Sequence, residues 1–149
     1  CHDRLFEQQQ WTPKPLNEVF DFFSDVKNLE ELTPPLLNFR VVGKSTENIQ
    51  EGTKIDYKLK IRGVPAKWTS LITNWQPMAQ FADVQLKGPY AKWHHLHLFR
   101  SLAGGVLLED KVVYRLPFSR FGGNFLNWFI RKDVKTIFSY RRKRIKEWC

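Results

Sequence analysis

The stretch Phe81–Phe99, FADVQLKGPYAKWHHLHLF, puts acid and imidazole groups on strand faces that should be apolar. Two strands flank the Gly88-Pro89 turn, and side chains on a strand alternate between its faces. Phe81, Asp83 and Gln85 therefore share one face of the first strand, and Trp93, His95, His97 and Phe99 share one face of the second. A strand face that carries Trp and Phe packs inward. Unpaired polar groups buried there would cost about 2–7 kcal/mol each. Asp83, His95 and His97 are thus expected to be paired with one another, with water or with a ligand.

The same period of two extends on both sides. Thr53 to Ile61 alternates Ile55, Tyr57, Leu59 and Ile61 with Lys54, Asp56, Lys58 and Lys60, which reads as a half-buried strand. Further strands are predicted at 5–10, 39–45, 66–76, 80–87, 92–101 and 106–116, with short turns at Gly63-Val64-Pro65, Gln76-Pro77, Gly88-Pro89 and Gly104-Gly105. Connections this short make antiparallel neighbours.

Helical spacing appears at both ends of that block. Pro15 suits a first helical turn, and Leu16, Val19, Phe20, Phe22 and Phe23 follow at helical intervals, with an end near Asp25. A second short helix runs from about Lys27 to Leu32 and is halted by Pro34-Pro35. Beyond Pro117, Phe121, Phe125, Leu126, Trp128, Phe129, Val134, Ile137, Phe138, Ile145 and Trp148 form the broad stripe of one long helix. Strand, two helices, about six strands and a long helix make an α+β domain, a single sheet with helices on one side. Residues 1–149 read as one domain, without internal repeat or linker.

The chain resembles the SRPBCC superfamily, the START and polyketide-cyclase-like helix-grip domains. Pro15, Val19, Phe20, Phe22, Phe23 and Asp25, then Asn28, Leu29, Leu32, Thr33 and Pro34, look like the family's helix pair. Trp68, Ile72, Trp75, Pro77, Phe81, Asp83, Gln85, Gly88, Pro89, Tyr90, Trp93, His95, His97 and Phe99 look like one small-protein branch of it, and Asp110, Val112, Tyr114, Leu116 and Pro117, before the approach to the last helix, complete the pattern. The resemblance implies a curved antiparallel sheet of about seven strands wrapped around a long C-terminal helix, with a hydrophobic cavity between them. It leaves ligand and reaction open, because one fold serves many functions.

Composition supports an internal site. Aromatics are 15% of the residues, with twelve Phe and six Trp, and rings in such number can line a cavity as well as fill a core. Tyr57, Trp68, Trp93, Phe99 and Tyr114, with Phe125 and Phe129 from the last helix, are the candidate walls. Asp83, His95, His97 and Asp110 are the candidate polar contacts. Asp83 beside His95 could move a proton in a cyclisation, dehydration or isomerisation without cofactor, which makes these two the candidate catalytic pair. The alternative is a buried network that fixes strand register and cavity shape. His95 and His97 with Asp83 or Asp110 could ligate a metal, but that spacing has no Cys or further His motif behind it, and neither metal nor cofactor is expected.

The net charge is +9. Much of it lies between Arg131 and Lys146, and Arg141, Arg142, Lys143, Arg144 and Lys146 are expected to form a solvated helix face able to touch an anionic membrane. Nucleic-acid binding is not expected, since exposed aromatics do not interleave with the basic residues. Cysteines stand only at positions 1 and 149, which favours free thiols and a cytoplasmic location over a disulfide framework. The leading expectation is a protein that binds a lipid, terpenoid or polyketide-like molecule in an internal cavity.

Overall fold

The computed structural model describes residues 3–61, 63–115 and 123–148, with side chains from residue 134 onward in the last of these. Seven strands form one antiparallel sheet: β1 (Arg4–Thr12), β2 (Arg40–Lys44), β3 (Lys54–Ile61), β4 (Val64–Gln76), β5 (Gln80–Lys87), β6 (Lys92–Leu102) and β7 (Gly105–Arg115). Their order across the sheet is β1-β7-β6-β5-β4-β3-β2. The hairpins from β2 to β7 therefore make consecutive neighbours, and β1 returns to close on β7. The helices are α1 (Leu16–Phe23), α2 (Val26–Glu31) and α3 (Gly123–Trp148). The sheet wraps around α3, and the two short helices follow β1, as in a helix-grip fold.

Local chemistry sets the element ends. α1 ends at Phe23, near Asp25 as expected, and Asp25 itself caps α2, its carboxylate accepting from the Lys27 amide at 3.0 Å. Past α2, Pro34 and Pro35 open a 3-10 turn, Pro35–Leu37, where only a stop was expected. The β6–β7 turn is made by Ala103 and Gly104, both at positive φ, 50° and 79°.

Burial alternates along the strands as the period of two requires. On β6, Trp93, His95, His97 and Phe99 are buried; on β7, Val106, Leu108, Asp110, Val112 and Tyr114 are. α3 meets this concave face through Val134, Phe138, Arg141 and Ile145, at helical intervals of four, three and four. One core cluster joins Ile145 to α1, with Phe20, Phe81 and Phe99 in contact. A second gathers Val134 and Phe138 around Trp93, Val112 and Tyr114.

That stripe corrects the expected basic face. Arg141 is 6% exposed and belongs to the interior. Arg142 reaches the Gln9 carbonyl, and Arg144 pairs with Glu147 at 2.9 Å, while Lys143 and Lys146 remain exposed. No helix among the described residues is long and apolar enough to cross a membrane.

Candidate functional site

Two adjacent rungs of the sheet build a polar square on the concave face. Asp83 of β5 lies opposite His95 of β6, and the next rung sets His97 of β6 opposite Asp110 of β7. The hydrogen bonds run diagonally. His97 Nε2 meets Asp83 Oδ2 at 2.7 Å, and His95 Nε2 meets Asp110 Oδ1 at 2.8 Å. The two imidazoles stack, with ring centres 3.7 Å apart. Their Nδ1 atoms face the opposite carboxylates at longer range, His95 to Asp83 at 3.6 Å and His97 to Asp110 at 3.7 Å. Asp83 thus stands beside His95, as the strand pairing implies, but its shorter bond is to His97, since side-chain reach rather than strand register selects that partner.

α3 closes the square from above. The guanidinium of Arg141 stands 3.6 Å from Asp110 Oδ1 and 3.4 Å from His97 Nδ1, with the Phe23 ring 5.1 Å away. Arginine only donates, so His97 Nδ1 accepts and its single ring proton sits on Nε2, pointing at Asp83. Burial pushes the His97 pKa down to about 4, helped by the neighbouring His95 and Arg141 and opposed by Asp83, so the ring is neutral at pH 7. For Asp110, burial would raise the carboxyl, but the Arg141 charge and the bond from His95 hold it well below the usual range. Asp83 is likewise lowered against its own burial by the bond from His97 and by the charges of the imidazoles and Arg141. Both acids are ionised at neutral pH.

Asp83, His95 and His97 offer donor atoms within 4.8 Å of one another, a distance compatible with one cation. Stacked rings, however, send their in-plane lone pairs side by side instead of converging, and Nε2 of His97 is committed to Asp83.

The predicted wall residues divide. Trp93 and Tyr114 lie together, with Trp68 and Tyr90 against Trp93 at 5.4 and 4.9 Å between ring centres. Tyr57 is buried beside Phe39. Its phenol is bonded to Ser70 and lies near Asp83, and burial followed by that negative charge raises its pKa well above the ordinary value. Ser70 also accepts from Trp68 Nε1 at 2.9 Å. Phe99 is separate, packed on Phe20 and Phe23 at the α1 end. Phe125 and Phe129 lie outside the residues whose side chains are described. Gln85 bonds both backbone groups of Tyr90 and so braces the Gly88-Pro89 turn.

The two ends of the interior differ. Near Arg141 a void of about 10 Å³, lined by Gln10, Phe23, His97, Asp110 and Ile145 among others, has room for one water at most. Gln10 Oε1 and Arg141 Nε border it, buried and without a hydrogen-bond partner among the described residues. At the other side Asp83, an inward-facing acid, keeps 21% of its side chain exposed, against 7% for each histidine and 10% for Asp110. Among these four described side chains Asp83 is the most exposed. Arg141 and Ser70 were missed in the sequence; for Arg141 the signal was its place on the Val134–Phe138–Ile145 stripe.

A family model described as polyketide cyclase / dehydrase and lipid transport matches residues 12–138. The chain belongs to this family. Solved structures share its fold at low identity. The Zhui aromatase/cyclase from Streptomyces sp. R1128 is similar at 15% identity with a TM-score of 0.76, over 97% of this chain and 92% of that one. TTHA0849 from Thermus thermophilus is similar at 14% identity and 0.71, over 97% and 98%. A START superfamily protein from Mycobacterium smegmatis is similar at 10% identity and 0.65, over 97% and 99%. No curated protein matches the chain.

Proposed function

We propose that this domain binds a hydrophobic small molecule, of lipid, terpenoid or polyketide type, between the concave sheet face and α3. The observation that carries this reading is the partly exposed carboxylate of Asp83 on an otherwise buried, ring-lined face. The guest lies on the Trp68, Trp93 and Tyr114 side, because the Arg141 end has space only for water. An ionised Asp83 accepts hydrogen bonds and repels anions, so the guest presents a hydroxyl there rather than a carboxylate. Such a bond to a charged group contributes about 1.5–3 kcal/mol.

Displacement of the neutral dye N-phenyl-1-naphthylamine tests this. 2-Naphthol is expected to displace the dye at least about tenfold better than naphthalene, and Asp83→Asn to erase that preference. Failure of the dye to bind, or equal competition by both compounds, contradicts the reading.

Proton transfer is the second reading, favoured by one detail. His95 Nδ1 faces Asp83 Oδ2 at 3.6 Å with no closer partner among the described residues, so a proton taken from a guest hydroxyl by Asp83 has a place to go. Turnover of a polyketide-like substrate would then fall in both Asp83→Asn and His95→Ala. Equal turnover in the folded variants excludes both residues from the chemistry.

A further inference from the structure

The convex face of the sheet carries a line of cations. β2, β3 and β4 set Arg40 opposite Lys58 and Lys58 opposite Lys67, all exposed. Neighbouring strands are about 4.8 Å apart, so three positive groups stand on one rung about 10 Å long. Lys60, two residues along β3, and Lys87, opposite Thr69, extend the patch. None of these five side chains pairs with an acid among the described residues. Asp56, two residues from Lys58, instead accepts from Thr69 Oγ1 at 2.7 Å. Like charges directly opposite one another destabilise a sheet, and among the described residues on this face Asp56 is the one nearby acid, bonded to Thr69 and paired with none of the five cations.

Aliphatic side chains stand beside the cations. Val42, 53% exposed, is two residues from Arg40, at the bulge where β2 shifts its register against β3. Leu36, 90% exposed, sits in the 3-10 turn that leads into Arg40 and packs on β3. Exposed aliphatics among cations suit the boundary between lipid head groups and acyl chains. Single-stranded nucleic acid would call for exposed rings on which bases stack, and the large exposed side chains at this corner are aliphatic.

We propose that this corner, with Arg40, Lys58, Lys60 and Lys67 as its charges and Val42 at its edge, docks on an anionic phospholipid surface. The site lies on the opposite face of the sheet from the interior site and does not depend on it. It also differs from the α3 cluster, where Arg141 is buried and Arg142 and Arg144 have partners within the chain.

Sedimentation with phosphatidylcholine vesicles, with and without about one-third phosphatidylserine, tests the proposal. Binding is expected only with phosphatidylserine and should fall as salt rises. The double variant K58Q/K67Q should weaken it about thirtyfold, the equivalent of about 1 kcal/mol per lysine, while K143Q/K146Q on α3 should leave it within about twofold. The melting temperature of K58Q/K67Q should hold or rise by about 1–3 °C as the repulsion is relieved, which separates lost docking from lost folding. No binding to phosphatidylserine vesicles overturns the proposal. So does binding lost in K143Q/K146Q but kept in K58Q/K67Q, and so does capture of single-stranded RNA in place of vesicles.

Discussion

Arg141 is the fixed cation of a buried set that also holds two ionised carboxylates. Removing one partner of a buried charged network leaves the rest uncompensated and costs about 3–5 kcal/mol. Arg141→Met should therefore lower unfolding stability in urea by that amount. Combined with Asp110→Asn, the loss should be smaller than the sum of the single losses, since the two groups share one interaction. Acid should act on the same residues. With a folded-state pKa of about 4 against about 6.5 when unfolded, His97 binds its proton more readily in the unfolded chain, so stability falls as pH drops from about 7 to 4, by about 3 kcal/mol. Asp83 and Asp110, both lowered, add stability that is present above about pH 3.9 and lost as pH falls further. Urea melts from pH 7 down to 4 should show that slope, and His97→Gln should flatten it. At this scale the sequence disclosed which strand face each acid and imidazole would share, because parity alone decides it. It did not disclose the diagonal pairing, which depends on rotamers and on a cation arriving from α3.

Element boundaries rest on similar local conflicts. Gly105 opens β7 where β1 passes closest: a Cβ there would lie 2.1 Å from the Thr12 carbonyl oxygen and 2.7 Å from the Trp11 ring. Trp11 is itself held by a bond from Nε1 to the Leu102 carbonyl at 2.8 Å. Gly105→Ala must push the end of β1 off β7 and should cost about 2 kcal/mol or more, read as a lower melting temperature and faster amide exchange from Gln10 to Thr12. The strands were legible because a half-buried sheet imposes a period of two that turns interrupt at each hairpin. The end of α1 was legible to near Asp25, although that residue suits both the tail of one helix and the cap of the next. Arg141 was misread. Within a run of basic residues it resembles its neighbours, and only its spacing from Val134 and Phe138 distinguishes an inward position.

For the molecule as a whole, curvature of the sheet round α3 creates an interior packed as two clusters. The α1 end is filled by Phe20, Phe23, Phe81 and Phe99 and fastened by Ile145 and Arg141. The other cluster gathers Trp68, Trp93 and Tyr114, and Asp83 is the most exposed of the four described side chains of the square. Composition could not assign rings to one cluster or the other, because both are built from the same residue types. The most direct test follows the imidazoles by long-range proton–nitrogen NMR during titration with 2-naphthol. A guest hydroxyl that shares Asp83 should shift the His97 Nε2–H signal in a saturable manner, and Asp83→Asn should abolish the effect. Ring signals of His95 and His97 that stay fixed while the compound demonstrably binds would contradict the account.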